Sequence, residues 1–186
     1  MKRKLLIAAL IVLVLSVSVA GTLAYYTQQE TSHNVITTGS IQIELIEKAI
    51  KDGKEVDFKD VEGVIPGEDV SKIAKVKNTG ANDAFIRMSA KKSIELAKDV
   101  TGTPDLSLIT IDFNETDWTD GGDGYWYYNT PLEAGGTTRP LFTTVKFDPQ
   151  MDNLYENCKV MVDVAAQAVQ TANNGTDPLA AAGWPA

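Results

Sequence analysis

Ile41-Gln42-Ile43-Glu44-Leu45 alternates apolar and polar side chains, which places Ile41, Ile43 and Leu45 on one face of an extended strand. The same period of two recurs along the chain. Residues 73–77 alternate and stop at Asn78-Thr79-Gly80, and residues 84–90 form another run. Residues 106–113, 141–147 and 159–169 read as further strands. Turn chemistry separates them: Lys51-Asp52-Gly53-Lys54, Val64-Ile65-Pro66-Gly67-Glu68 and a loop over residues 131–136. Asp117-Trp118-Thr119-Asp120-Gly121-Gly122-Asp123-Gly124 runs into the aromatic stretch Tyr125-Trp126-Tyr127-Tyr128, which predicts a hairpin. Residues 93–99 suggest one or two helical turns. The sum is seven to nine short strands without βαβ alternation, and the expected fold is an antiparallel β-sandwich.

Upstream of the strands the pattern changes. Lys2, Arg3 and Lys4 precede an apolar run over residues 5–20, interrupted only by Ser16 and Ser18, and Gly21-Thr22-Leu23-Ala24 follows. Charged, apolar and small-residue regions in that order make a secretory signal, with cleavage expected between Ala24 and Tyr25. The apolar run is shorter than the ~20 residues a spanning helix needs. The expected organisation is a signal peptide at 1–24, an N-terminal segment at 25–38 and a β-sandwich domain at 39–186. Membrane contact is expected only before cleavage, and the protein is expected to be secreted, outside the cell or at its surface.

Charge narrows the partners. Without Lys2, Arg3 and Lys4, 14 of the 17 basic residues remain against 25 acidic ones, a formal net charge of −11. A nucleic-acid partner is not expected, because phosphate binding needs clustered Lys and Arg. Cys158 is the single cysteine, so no intramolecular disulfide forms, and its apolar surroundings in sequence suggest a small core residue.

The residue types for catalysis are sparse. His33 is the single histidine and stands in a polar stretch, where it reads as solvated. A zinc enzyme typically uses three protein ligands, mostly His, and no His-Glu-x-x-His segment is present. No phosphate-binding glycine motif occurs. No cofactor and no catalytic residue is expected. Asp117, Asp120 and Asp123 offer oxygen ligands for calcium, although their spacing does not match the helix-loop-helix calcium loop; the competing reading is an exposed turn. Asp57, Asp60 and Glu62 read as a solvated acidic surface. Alternation puts Tyr125 and Tyr127 on one face and Trp126 and Tyr128 on the other. Either pair packs into a core, or an exposed pair stacks on a sugar, which would make the domain an accessory surface-binding module.

Several segments together resemble one family. They are Gly21-Thr22-Leu23-Ala24-Tyr25-Tyr26-Thr27, Asn34-Val35-Ile36-Thr37-Thr38-Gly39-Ser40-Ile41, Ile65-Pro66-Gly67-Glu68, Val76-Lys77-Asn78-Thr79-Gly80 and Asn82-Asp83-Ala84-Phe85-Ile86-Arg87. Tyr127-Tyr128-Asn129, Pro131-Leu132-Glu133-Ala134-Gly135 and Pro140-Leu141-Phe142 complete the set. In this order they resemble the TasA/camelysin family of Gram-positive bacteria, whose precursors are cut by a SipW-type signal peptidase. The resemblance implies a jelly-roll-like sandwich and a secreted structural role as biofilm-matrix fibre or cell-surface component, self-assembled or joined to other matrix or surface proteins. It further implies that the freed N-terminal segment adds as a strand to a neighbouring subunit. The matching donor residues are Tyr25, Tyr26, Thr27, Val35, Ile36 and Thr37, all good strand formers. The alternative for these residues is a tail, or a strand paired within its own subunit. Camelysin-like members have also been classed as metallopeptidases, so the resemblance carries a secreted metallopeptidase as the second functional reading.

Overall fold

The computed structural model describes residues 41–61 and 64–185. The described residues form nine strands: β1 Ile43–Lys51, β2 Lys54–Asp57, β3 Asp69–Asn78, β4 Ala84–Glu95, β5 Ile109–Ile111, β6 Trp118–Asp120, β7 Trp126–Tyr128, β8 Phe142–Phe147 and β9 Lys159–Gln170. They form a five-stranded sheet in the order β2-β1-β3-β8-β5 and a four-stranded sheet in the order β6-β7-β4-β9. Every pairing is antiparallel. The chain is an all-β sandwich, as the alternation predicts.

Local chemistry explains the connections. Asp52 and Gly53 both take left-handed backbone angles, with φ of 52° and 74°. That is the geometry of a two-residue turn whose twist suits a hairpin, and Lys51 pairs with Lys54 directly across it. Three short 3₁₀ turns, Leu106–Leu108, Asn153–Tyr155 and Pro178–Ala180, each begin at an aspartate. Asp105, Asp152 and Asp177 accept a hydrogen bond from the backbone N–H two residues on, which satisfies a donor the turn leaves free.

The core lies between the sheets. From β4 come Ala84, Ile86 and Met88, which face Ala168 and Ala166 of β9. Ala74, Val76, Ile109, Leu141, Phe142 and Val145 come from the larger sheet. Trp118 is almost fully buried, and its indole N–H donates to the Arg139 carbonyl at 3.2 Å, so its one polar atom is satisfied in the interior.

Three local expectations are corrected. Residues 93–95 are not helical: β4 continues to Glu95 because Ser93, Ile94 and Glu95 pair with Met161, Val160 and Lys159. A continuous ladder with β9 outweighs the helix preference of Glu95, Leu96 and Ala97. Residues 106–113 are not one strand but a 3₁₀ turn followed by the three-residue β5, split by the Asp105 cap. Cys158 stands in the loop before β9, half-buried. Asp57 and Asp60 are exposed, as expected of a solvated acidic surface; Asp57 ends the short strand β2 and pairs with Lys48.

Candidate functional site

Three of the segments that carry the family resemblance, residues 76–80, 82–87 and 131–135, meet around one buried side chain. Asn78 ends β3 and has no exposed surface. Its Nδ2 donates to the carbonyls of Asn82, at 2.8 Å, and Leu132, at 3.0 Å, and its Oδ1 accepts from Gly80 N at 3.0 Å. Its own backbone bonds Gly135 and Gly136. Ala84 and Leu132 exchange two backbone hydrogen bonds, and Asp83 Oδ1 accepts from Ala134 N. One amide thus joins the 78–84 turn to the 131–136 loop, and the shared motif here holds the fold together. In the 65–68 loop Glu68 bonds Ile65 N, while Gly67 and Glu68 bond Phe147.

The aromatic hairpin is also structural. Trp126 stacks on Phe113 with ring centres 4.6 Å apart, and Tyr128 packs against Trp118 at 5.0 Å, both partly buried against the main core. Tyr127 points the other way and is buried beneath Trp184. Both faces of this strand are occupied, and the Trp126 face is already stacked on a protein ring.

The acidic turn is spent on itself. Asp117 accepts from the Asn114 side chain, and Asp120 from Gly122 N. Asp123 accepts from Tyr125 N and from the Tyr127 hydroxyl at 2.7 Å. The Tyr127 hydrogen bond leads the effects that hold the Asp123 carboxyl below the usual aspartate range, and Arg87 adds to them. Among the described residues no three His, Cys, Asp or Glu side chains are grouped to hold a metal ion. Cys158 is a poor ligand, since burial pushes its thiol up. His33 lies outside the described residues. The described residues therefore do not fit a zinc centre.

What the fold does present is an open edge. β9 pairs with β4 along all twelve of its residues and ends the four-stranded sheet. No other described strand pairs with it. Natural edge strands are usually short, bulged, Pro-containing or charged; β9 is long and regular, has no Pro, and carries Lys159 and Asp163 as its only charges. Its inward-facing residues differ along its length. Ala166 and Ala168 are buried, whereas Val160, Val162 and Val164 remain partly exposed. In the other sheet, β2 covers β1 only from Lys48 to Lys51, with Phe58 N bonding Glu47 O just beyond. Ile43 and Leu45, on the uncovered half of β1, are likewise partly exposed and pack on the core. β1 comes close to β9 across the sandwich. The seam between them is an apolar mouth flanked by backbone that no described strand has paired.

Tyr25, Tyr26, Thr27, Val35, Ile36 and Thr37, and the cleavage pair Ala24 and Tyr25, lie outside the described residues. The described residues begin at Ile41, which is buried, and Gln42 O accepts from Thr79 N and Gly80 N. The edge itself escaped the sequence reading, because alternation locates a strand without naming its neighbours.

The chain is an antiparallel sandwich with a long edge strand and no grouped metal ligands among its described residues. The family whose model matches is described as camelysin metallo-endopeptidase, over residues 1–117 of 186, and the chain belongs to it. Membership supports a secreted or surface protein. Neither the curated proteins nor the solved structures gave a match. Among the described residues no helix is long and apolar enough to cross a membrane.

Proposed function

We propose that the protein is a secreted structural subunit of the cell surface or biofilm matrix, which assembles when residues 25–38 of one copy add as a strand to the open edge of another. The observation that carries this reading is β9, a twelve-residue edge strand with partly exposed inward valines. An added strand would take up the unpaired backbone groups of β9, and its alternate side chains would cover Val160, Val162 and Val164. Removal of the signal peptide by a SipW-type peptidase would free the donor at Tyr25. This gives processing a physical role, since a donor still attached to residues 1–24 remains tethered to the membrane.

The family's name favours a second reading, a metallo-endopeptidase. The scattered donor set argues against it among the described residues, and casein cleavage abolished by a chelator would establish it. The deciding experiment compares two purified chains by electron microscopy after concentration, one starting at Tyr25 and one at Gly39. Filaments from the first and monomers from the second are expected. Monomers from both would remove the self-assembling reading.

A further inference from the structure

The outer face of the four-stranded sheet carries a second arrangement, on the side of the sheet opposite the valines of the seam. Arg87 of β4 is nearly buried there. Its Nε donates to Gln167 Oε1 at 2.8 Å, its Nη1 to the Tyr127 hydroxyl at 3.0 Å, and its Nη2 to the Pro185 carbonyl at 2.9 Å. The guanidinium lies 3.9 Å from the Tyr125 ring centre and 4.8 Å from that of Trp184. Trp184 meets the Tyr127 ring edge-on at 5.6 Å. Next to it Phe85, Val169 and Ala181 form a small separate apolar cluster on which Trp184 also packs. A cation held between aromatic rings, with Nε and Nη1 anchored within the sheet and Nη2 turned toward a carbonyl, suits an extended peptide that offers an indole and a carbonyl.

The occupant in this chain is its own C-terminal segment, which leaves β9 at Gln170 and returns over the sheet. Its described backbone bonds are mostly internal: Asn174 N to Thr171 O, Ala180 N to Asp177 O, Ala181 N to Pro178 O and Ala182 N to Asn174 Oδ1. It adds no strand to either sheet. The fit is incomplete, because the buried indole N–H of Trp184 has no hydrogen-bond partner. A buried donor left unpaired weakens the hold on its segment.

We infer that this face is a docking groove for a Trp–Pro segment, filled here by residues 183–185 of the same chain and open to the same segment of a second copy when the first lets go. Arg87 is the latch. It contacts both the ring and the carbonyl of the segment, and it is fixed from behind by Gln167 and Tyr127. The segment can leave without breaking a strand pairing, and a second copy of the same segment restores the contacts that its departure breaks. Because this groove and the seam lie on opposite faces of the sheet, the inference does not rest on strand addition.

The test uses the full secreted chain and a fluorescent synthetic peptide of residues 177–186. In Trp184→Ala the native segment loses its anchor and the groove is vacated. Saturable binding of the peptide is expected, at least about tenfold tighter than to the unaltered chain, where the tethered segment competes. Arg87→Met in the same background should abolish it. Hydrogen exchange over β4 and β9 establishes that each variant remains folded; if Trp184→Ala does not, Trp184→Phe takes its place. No saturable binding to a folded variant, equal binding to the unaltered chain, or binding that survives Arg87→Met would each overturn the inference.

Discussion

The Asn78 side-chain amide donates to the Leu132 carbonyl at 3.0 Å, across 54 residues of chain. This bond lies in the interior, where water cannot replace it, and the same nitrogen also serves the Asn82 carbonyl. Asn78→Ala would remove the two bonds its amide donates and the one it accepts from Gly80 N, although Leu132 O keeps Ala84 N and Gly80 N keeps Gln42 O. The expected cost is about 3 kcal/mol. Thermal unfolding should report a Tm lower by about 6–12 °C. An unchanged Tm would show that the 131–136 loop is held by other contacts.

Assembly should depend on the inward valines of the open edge. Val164 stands opposite Ala90 and is partly exposed, so Val164→Lys puts an ammonium at the mouth of the seam while leaving the β4 ladder intact. An inward charge at an edge blocks strand addition. The variant starting at Tyr25 should fold, as read by circular dichroism, and form no filaments. Filaments as abundant as those of the unaltered chain would place the acceptor elsewhere.

Asp112 predicts a pH dependence. Burial alone would raise its pKa, but bonds from Thr143 Oγ1, Thr143 N and Thr144 N outweigh it and bring it below the ordinary 3.8. A carboxyl whose folded pKa is depressed binds its proton more readily in the unfolded chain. Its contribution is therefore present above 3.8 and lost as pH falls through the lower folded value. Urea midpoints measured from pH 6 to pH 2 should fall less steeply in Asp112→Asn than in the unaltered protein. Parallel curves would assign the acid sensitivity to other carboxylates.

Trp126 separates packing from sugar recognition. Its ring is stacked on Phe113, which itself meets Phe142 edge-on. Trp126→Ala should cost about 3 kcal/mol in denaturant unfolding, the scale of an aromatic lost from a core. A variant of unchanged stability that had lost binding on a glycan array would instead favour a surface sugar site.

Much of the architecture was legible before any coordinates. Ile41, Ile43 and Leu45, the 73–77 run, the Asp52-Gly53 turn and the aromatic hairpin all stand where alternation and turn chemistry put them. These signals are local: a period of two and a pair of left-handed residues are properties of a few neighbouring amino acids. Residues 93–95 were misread because local preference spoke for a helix, while the ladder to residues 159–161 decided for a strand.

By itself the sequence determined a β-rich domain with one cysteine, one histidine and a strong negative charge, behind an N-terminal stretch patterned like an export signal. Tertiary structure decided which strands became neighbours. That choice left β9 at an edge, buried Asn78 beneath Leu132, and carried Trp184 back onto Arg87. The physical reason is range. Alternation declares which side of a strand avoids water, but a strand's partners, and the side left without one, follow from packing the whole chain around a single core.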